Sequence, residues 1–563
     1  MLEELIRIGK SQLTEFQLDI LKDCMKKGSG GLSLTMGSGK TFVSLVLAME
    51  QTKDINKPVL IVVSKTLIES WIFEINKFFG DKLKYVVLHS TYIKKFNEFT
   101  LEDDIKFVLT TPDVITKFYK QEHISDSFIT QNIINEGRFN QHSVNIYNYP
   151  DVPYSHIKIG GAILYSTEWG CLIVDEVQNF TKISSLRCQG IGSICAINKW
   201  ALSGTMFSEP TTERILGYYV IINDKKFPRT LPSTELLIKS CHFKGFSESL
   251  VCRKTNPSFI KPKVNQVIIS HKLEDEEQKL YMSMKTIIKV VKSKVNEYKY
   301  NRDTENTRKF STYLLAMICY LRQCLVCCLI PVANIAIDMA DFQNKSELSN
   351  LLMNEIDKLD ITKWLSDVNS VKSSRMKQAL ILIDKHQNEN IVIFTCFRTC
   401  VDILKTFLPK DRKVYTISST MSSKKRALVL EEFKKVNKNG NILLLTYDIG
   451  ATGLNLQISN VVILLDFFYN EATSAQAVAR VLRYGQTAKE VHIYYMTSNT
   501  AIEKALFEKQ DLKLQIINEL ENGSQKTKIR RMNVNEIVNI IEKEDNVVAI
   551  RKINERKYGP SYY

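Results

Sequence analysis

No run of apolar residues in this 563-residue chain is long enough to cross a bilayer. The best, Cys324–Ile337, is short and carries Pro331 and Asn334, so it reads as core. Met1–Lys10 carries acids and no extended apolar region, and no signal peptide is expected. Paired metal-ligand spacing is also missing. Cys324, Cys327 and Cys328 are followed by no second CxxC and no paired histidines, which argues against a structural zinc site. They sit in an apolar stretch of helical period, so core thiols in an intracellular, reducing compartment are expected, and Cys396 and Cys400 read the same way. Internal repeats and low-complexity tracts are absent. Acid is in deficit: 61 acidic against 76 basic residues give a net charge of +15. That excess favours a polyanionic partner, most simply nucleic acid, although a basic protein without one has the same composition.

The informative residues are few and widely spaced. Gln476-Ala-Val-Ala-Arg480-Val-Leu-Arg483-Tyr-Gly-Gln486 places Gln476, Arg480 and Arg483 at i, i+4 and i+7, one face of a predicted helix. Two guanidiniums one turn apart suit a polyanion whose charge grows during reaction, such as a phosphoryl group in transfer. Alone, the stretch reads equally well as a solvated surface helix. Far upstream, Met36-Gly37-Ser38-Gly39-Lys40-Thr41 follows the apolar stretch Gly31–Leu34 and opens onto a segment of helical period. Strand, glycine-rich turn, Lys-Thr and helix make a phosphate-binding loop. Gly37 and Gly39 admit phosphate oxygens to the backbone N–H groups, Lys40 reaches the β- and γ-phosphates of ATP, and the Thr41 hydroxyl ligates Mg²⁺. The full loop pattern has glycine where this chain has Leu34. Cys171-Leu-Ile-Val-Asp175-Glu176-Val-Gln178 is an apolar run ending in two acids, the pattern of a buried parallel strand whose C-terminal end faces ligand. Asp175 is expected to hold Mg²⁺ and Glu176 to polarise the attacking water.

With these in place, the chain resembles the superfamily-two nucleic-acid-dependent ATPases, closest to the Swi/Snf-type double-stranded DNA translocases. The likeness runs in order through residues 13–515. Leu13-Thr-Glu-Phe-Gln17 is similar to the adenine-reading Q motif, which implies Gln17 against the base. Pro58–Val63 with Ser70-Trp71-Ile-Phe-Glu74 resembles the family's next strand and its tryptophan-bearing helix. Val108-Leu-Thr110-Thr111-Pro112 resembles the strand-end motif that touches the tracked strand, and Thr446 begins a second such loop. Lys199-Trp-Ala-Leu-Ser203-Gly204-Thr205 is similar to the segment linking hydrolysis to domain movement. Thr446–Leu456, with Gly453 at the nucleotide, resembles the glycine-rich motif before the arginines, and Leu465-Asp466 follows at the next step. Gly485-Gln486 resembles the ending typical of duplex translocases.

The departures are specific. Gln178 stands where the family has histidine; a glutamine is still able to hydrogen-bond across to the second lobe, with a different coupling. Met206-Phe207 replace a proline-containing stretch, and Ser418-Ser-Thr420 lacks an expected glycine. No catalytic group is lost, so the drift points to a divergent branch, viral or plasmid-encoded.

The resemblance implies an α/β fold of two tandem RecA-like lobes with a helical connecting region. The expected division is lobe 1 over 1–225, with an insertion at about 119–160; connecting helices over 226–370; lobe 2 over 371–515; and a basic tail over 516–563. Strands are expected near 32–34, 59–63, 107–110, 171–175 and 200–203, then at 391–395, 414–417, 442–446, 461–466 and 491–496. The tail holds one amphipathic candidate helix, Val534–Glu542, which reads as solvated or as docked on the second lobe. The stretch Lys285–Lys309, with eight basic and three acidic residues, reads as an extra nucleic-acid contact or as a charged face of a connecting helix. The implied activity is ATP hydrolysis with Mg²⁺, coupled to movement along duplex DNA in a transcription or replication complex and away from membranes. A strand-separating DNA or RNA helicase is the competing expectation.

Overall fold

A computed structural model describes residues 2–34, 37–93, 100–102, 104–125, 163–222, 247–253, 262–332, 373–418, 420–435, 437–450, 454–466, 471–483, 485–522 and 534–542. Met36, Gly453, most of the expected insertion and residues 523–533 and 543–563 of the tail lie outside these residues. The chain divides into two compact units: 1–260 with 512–531 and 560–563, and 261–511 with 532–559.

The first unit is built on a seven-stranded sheet whose paired strands all run parallel. Its strands are β1 (Gly30–Leu34), β2 (Val59–Val62), β3 (Tyr85–Leu88), β4 (Phe107–Thr110), β5 (Trp169–Asp175), β6 (Ala196–Ser203) and β7 (Leu250–Arg253), in the order β3-β4-β2-β5-β6-β1-β7. Alternate side chains enter two separate cores. Val59, Ile61, Cys171 and Ile173 pack in one, and Leu60, Val62, Leu172 and Val174 in the other. Both sheet faces are therefore covered by apolar packing, which is why these strands read as continuous apolar runs.

The second unit carries a six-stranded, all-parallel sheet of β8 (Lys263–His271), β9 (Ile391–Thr395), β10 (Lys413–Ile417), β11 (Asn441–Thr446), β12 (Val461–Leu464) and β13 (Glu490–Ser498). Their order is β10-β11-β9-β12-β13-β8. Two long helices, Asp275–Tyr300 and Thr304–Val326, pack against each other in this unit. Cys324 and Cys328 lie in the core they form, and Cys327 and Cys400 in the core beneath the sheet. All ten described cysteines are free thiols.

Three strands had no counterpart in the sequence reading: β3, β7 and β8. Each is an edge strand. An edge has a neighbour on one side only, so it needs no unbroken apolar run, and β8 shows only one buried position along nine residues. The expected connecting region thus supplies a strand to each sheet, and the units part at Ile260.

The segment read as a tail is also structural. The helix Ala501–Asn522 buries Ile502 and Leu506 in the second unit's core, while Ile516 and Leu520 join the core of the first. Near its end Glu521 accepts a 3.0 Å hydrogen bond from the Ser33 hydroxyl on β1. The helix Val534–Glu542 docks, burying Ile537, Val538 and Ile541 beside the long helix pair, with Lys292 donating to Asn539 at 2.8 Å. Among the described residues no helix is long and apolar enough to cross a membrane.

Candidate functional site: a phosphate loop and two acids on one sheet edge

Strand β6 lies between β1 and β5, so the loop after β1 and the acids ending β5 emerge from the same edge of one sheet. Leu34, the residue in place of the loop's first glycine, is fully buried and ends β1 in the core. A leucine fits because the strand continues through this position.

Gly37 and Gly39 have φ of 78° and 80°, the left-handed region where a side chain is strained. A Cβ on Gly39 would also lie 2.4 Å from Gln17 Nε2. The helix Lys40–Thr52 starts there, and its first N–H groups face the loop. Lys40 Nζ donates to the Leu34 carbonyl at 3.1 Å. Thr41, the second residue of this helix, is half-buried.

Gln17 was expected at the adenine. Its side-chain oxygen accepts the Thr14 N–H at 3.0 Å, closing a capping box, and its Nε2 donates to the Ser38 carbonyl at 3.0 Å. Both ends of the amide are engaged with protein, so Gln17 anchors the phosphate loop to the first helices.

Asp175 is buried at the end of β5. One carboxylate oxygen accepts the Glu176 N–H and the other accepts Trp71 Nε1, both at 2.9 Å. Burial, with the adjacent Glu176 charge second, pushes its carboxyl up to about 6; the Trp71 hydrogen bond and the Lys40 charge oppose the rise. A buried carboxylate at the strand end, on the same sheet edge as the start of the helix that carries the Thr41 hydroxyl, supplies hard oxygen donors of the kind that fit Mg²⁺. Glu176 has φ +48° and opens the 3₁₀ turn Val177–Asn179. Gln178 donates its amide to Glu176 Oε2 at 2.7 Å. Its backbone carbonyl accepts Arg214 at 3.0 Å, and Arg214 is paired with Glu209 at 2.7 Å. Neither Arg214 nor Glu209 carries a motif signal; only the packing brings them here.

On β6, Lys199 is buried, donates to the Gly192 carbonyl at 3.1 Å, and is lowered to about 8 by burial. The Ser203 hydroxyl accepts the Thr205 N–H at 2.9 Å, fixing the turn beside the acids.

The expected nucleic-acid contacts fare differently. Thr110 and Thr111 are buried, with the Thr110 hydroxyl on the Leu88 carbonyl and the Thr111 hydroxyl accepting the Val114 N–H. The Thr110 side chain thus ties the end of β4 to the end of β3, and the Thr111 side chain ties it to the helix Pro112–Ser125. Thr446 is half-buried at the end of β11, in register with Thr395.

In the second unit, Gln476 lies on the helix Glu471–Val478, but that helix stops before Arg480 and Arg483. The expected single helical face is corrected to a helix followed by tight turns. The Arg480 and Val481 N–H groups bond three residues back, to Ala477 and Val478. The Arg480 carbonyl is diverted to the Leu456 N–H, and Gln486 Nε2 takes the Ser459 and Val481 carbonyls at 2.9 and 3.1 Å. Gly485 permits the reversal with φ +98°. The Gly485-Gln486 pair therefore shapes the arginine turn. Asp466 is likewise structural: it accepts from Thr395 at 2.6 Å and from the Cys396 N–H at 2.8 Å, joining the ends of β9 and β12.

An SNF2-related domain matches residues 15–215, and a helicase conserved C-terminal domain matches residues 372–485. The chain is 24% identical over 547 residues to "Putative helicase 172L" of Invertebrate iridescent virus 6, covering 86% of this chain and 85% of that protein. It is 24% identical over 397 residues to the "DNA repair and recombination protein RAD54-like" of Drosophila pseudoobscura pseudoobscura, covering 64% of this chain but only 47% of the relative. Among solved structures, the Sulfolobus solfataricus SWI2/SNF2 ATPase core in complex with dsDNA aligns with a TM-score of 0.35 and 17% identity, over 91% of this chain and 93% of that one. With an SNF2-related domain followed by a helicase conserved C-terminal domain, the chain carries the domains of a helicase-like ATPase of the SNF2 type.

Proposed function

We propose that this chain hydrolyses ATP with Mg²⁺ to move along duplex DNA. The observation that carries the reading is the emergence of the Gly37–Thr41 loop and the Asp175-Glu176 pair from one edge of the first sheet, on strands separated only by β6. Lys40 exchanges the Leu34 carbonyl for the β- and γ-phosphates, and the loop N–H groups bind the remaining oxygens. Asp175 and Thr41 would hold Mg²⁺, which when bound neutralises charge on the phosphates. Glu176, oriented by Gln178, aligns water for in-line attack. Gln476, Arg480 and Arg483 belong to the second unit, and their proposed role is to stabilise charge on the transferring phosphoryl group. The partner is proposed as duplex DNA on the net charge of +15 and on the SNF2-related domain.

The test is ATP hydrolysis without nucleic acid and with duplex DNA, single-stranded DNA or RNA, beside a Lys40→Ala control. Stimulation by duplex DNA, lost in the control, is expected. Hydrolysis indifferent to every nucleic acid would overturn the reading, and stimulation by RNA alone would transfer it to an RNA helicase. A forked duplex then separates unwinding from tracking.

A further inference from the structure

We propose that Trp71 is a positioning residue for the metal site, its indole N–H setting the orientation in which the Asp175 carboxylate meets Mg²⁺. The proposal rests on the reading of Asp175 as a metal ligand.

Trp71 lies on the helix Ile68–Phe79, whose buried stripe is Ile68, Trp71, Ile75 and Phe79. The other three are purely apolar, and an apolar residue at 71 would complete the stripe without any polar atom to satisfy. The chain instead carries an indole there, 1% exposed, with its N–H 2.9 Å from Asp175 across 104 residues of sequence.

A buried indole needs an acceptor, and a neutral one usually serves. The same unit shows this twice. Trp169 donates to the Leu164 carbonyl at 3.1 Å, and Trp200 to the Gln51 side-chain oxygen at 3.0 Å. Among the described tryptophans, Trp71 alone takes a carboxylate, and that carboxylate ends the strand beside the phosphate loop. Packing explains a ring at position 71; it does not explain this acceptor.

The geometry has a chemical consequence. A carboxylate offers about four lone-pair directions. One on each oxygen is taken here, by the Trp71 N–H and the Glu176 N–H, and these two donors fix the plane of the group. A carboxylate held on both oxygens cannot rotate away when metal arrives, so less orientational freedom is lost on binding. Groups that orient a metal ligand in this manner typically contribute roughly 10–100-fold to metal affinity or activity.

The experiment compares Trp71→Phe with the natural protein, using a fluorescent, non-hydrolysable ATP analogue titrated in EDTA and then with MgCl₂. The variant is expected to bind the analogue normally in EDTA and to need roughly 10–100-fold more MgCl₂ for half-maximal response. Magnesium should also shift the natural protein's tryptophan emission, and the shift should vanish in the variant. Should Trp71→Phe fold poorly, benzothienylalanine placed at position 71 by stop-codon suppression keeps the bicyclic shape and removes only the N–H. An unchanged MgCl₂ requirement in either folded variant overturns the proposal, as does a matching loss of affinity in EDTA, which would make Trp71 a packing residue. Asp175→Asn is the control for the underlying reading: if it leaves the MgCl₂ requirement unaltered, the metal assignment itself fails, whatever Trp71 does.

Discussion

Glutamate in the left-handed backbone region costs on the order of 1–3 kcal/mol and persists only where its surroundings impose it. Glu176 is such a residue, and Gln178, Arg214 and Glu209 form the chain of contacts that imposes it. Strain and proposed duty coincide at one position. Glu176→Gln should keep nucleotide affinity and slow hydrolysis roughly 10²–10⁴-fold, read by single-turnover assay beside analogue binding; unchanged turnover would remove Glu176 from the water-aligning role. A second residue carries a pH signature. His271 is buried, its two ring nitrogens find no hydrogen-bond partner among the described residues, and burial followed by the Arg375 charge lowers it to about 3. It is neutral in the fold but protonates below about 6.5 once unfolded. Its contribution to stability is therefore present above pH 6.5 and is lost as pH falls toward 3, by on the order of a few kcal/mol. Urea unfolding of the second unit at pH 7 and pH 5 should show the loss, and His271→Phe should flatten it. At this scale the placement of Lys40, Asp175 and Glu176 at or after strand ends was legible because each follows a local apolar run. The hydrogen-bond partners of Gln17 and Thr110 were not, since what a side chain touches depends on residues far along the chain.

The helix Ala501–Asn522 shows how an element can escape a sequence reading. Its apolar positions are ordinary, yet its second half completes the first unit by burying Ile516 and Leu520 and bonding Ser33, on the strand that leads into the phosphate loop. Leu520→Ala should destabilise the first unit by about 2–5 kcal/mol, the usual cost of emptying a core site. The check is whether nucleotide affinity and the first unit's unfolding midpoint fall together; an unaffected midpoint would show that the helix merely lies on the surface. The arginine segment gives the complementary lesson. Spacing of i, i+4 and i+7 is necessary for a shared helical face, but the helix ends at Val478, and the Arg480 and Val481 carbonyls beyond it are taken by the Leu456 N–H and the Gln486 amide. Periodicity registers propensity, and tertiary hydrogen bonds outbid it.

Across the whole molecule, charge and topology govern different properties. With +15 net charge the proposed contact with DNA should be largely electrostatic. Duplex affinity should then fall linearly with log salt, with a slope of about −0.9 for each phosphate neutralised. A flat salt response in a binding titration would point to a partner that is not a polyanion. The sequence by itself determined the order of motifs, the interior strands of both sheets and the residues proposed to bind phosphate and metal. It could do so because a strand buried on both faces must be apolar throughout, and because phosphate chemistry requires glycine, lysine and acid at close spacing. Only the tertiary structure decided the edge strands β3, β7 and β8, the assignment of residues 512–522 to the first unit, the turns around Arg480, and the indole beside Asp175. Each of these depends on contacts between residues distant in sequence, which leave no local period or spacing to read.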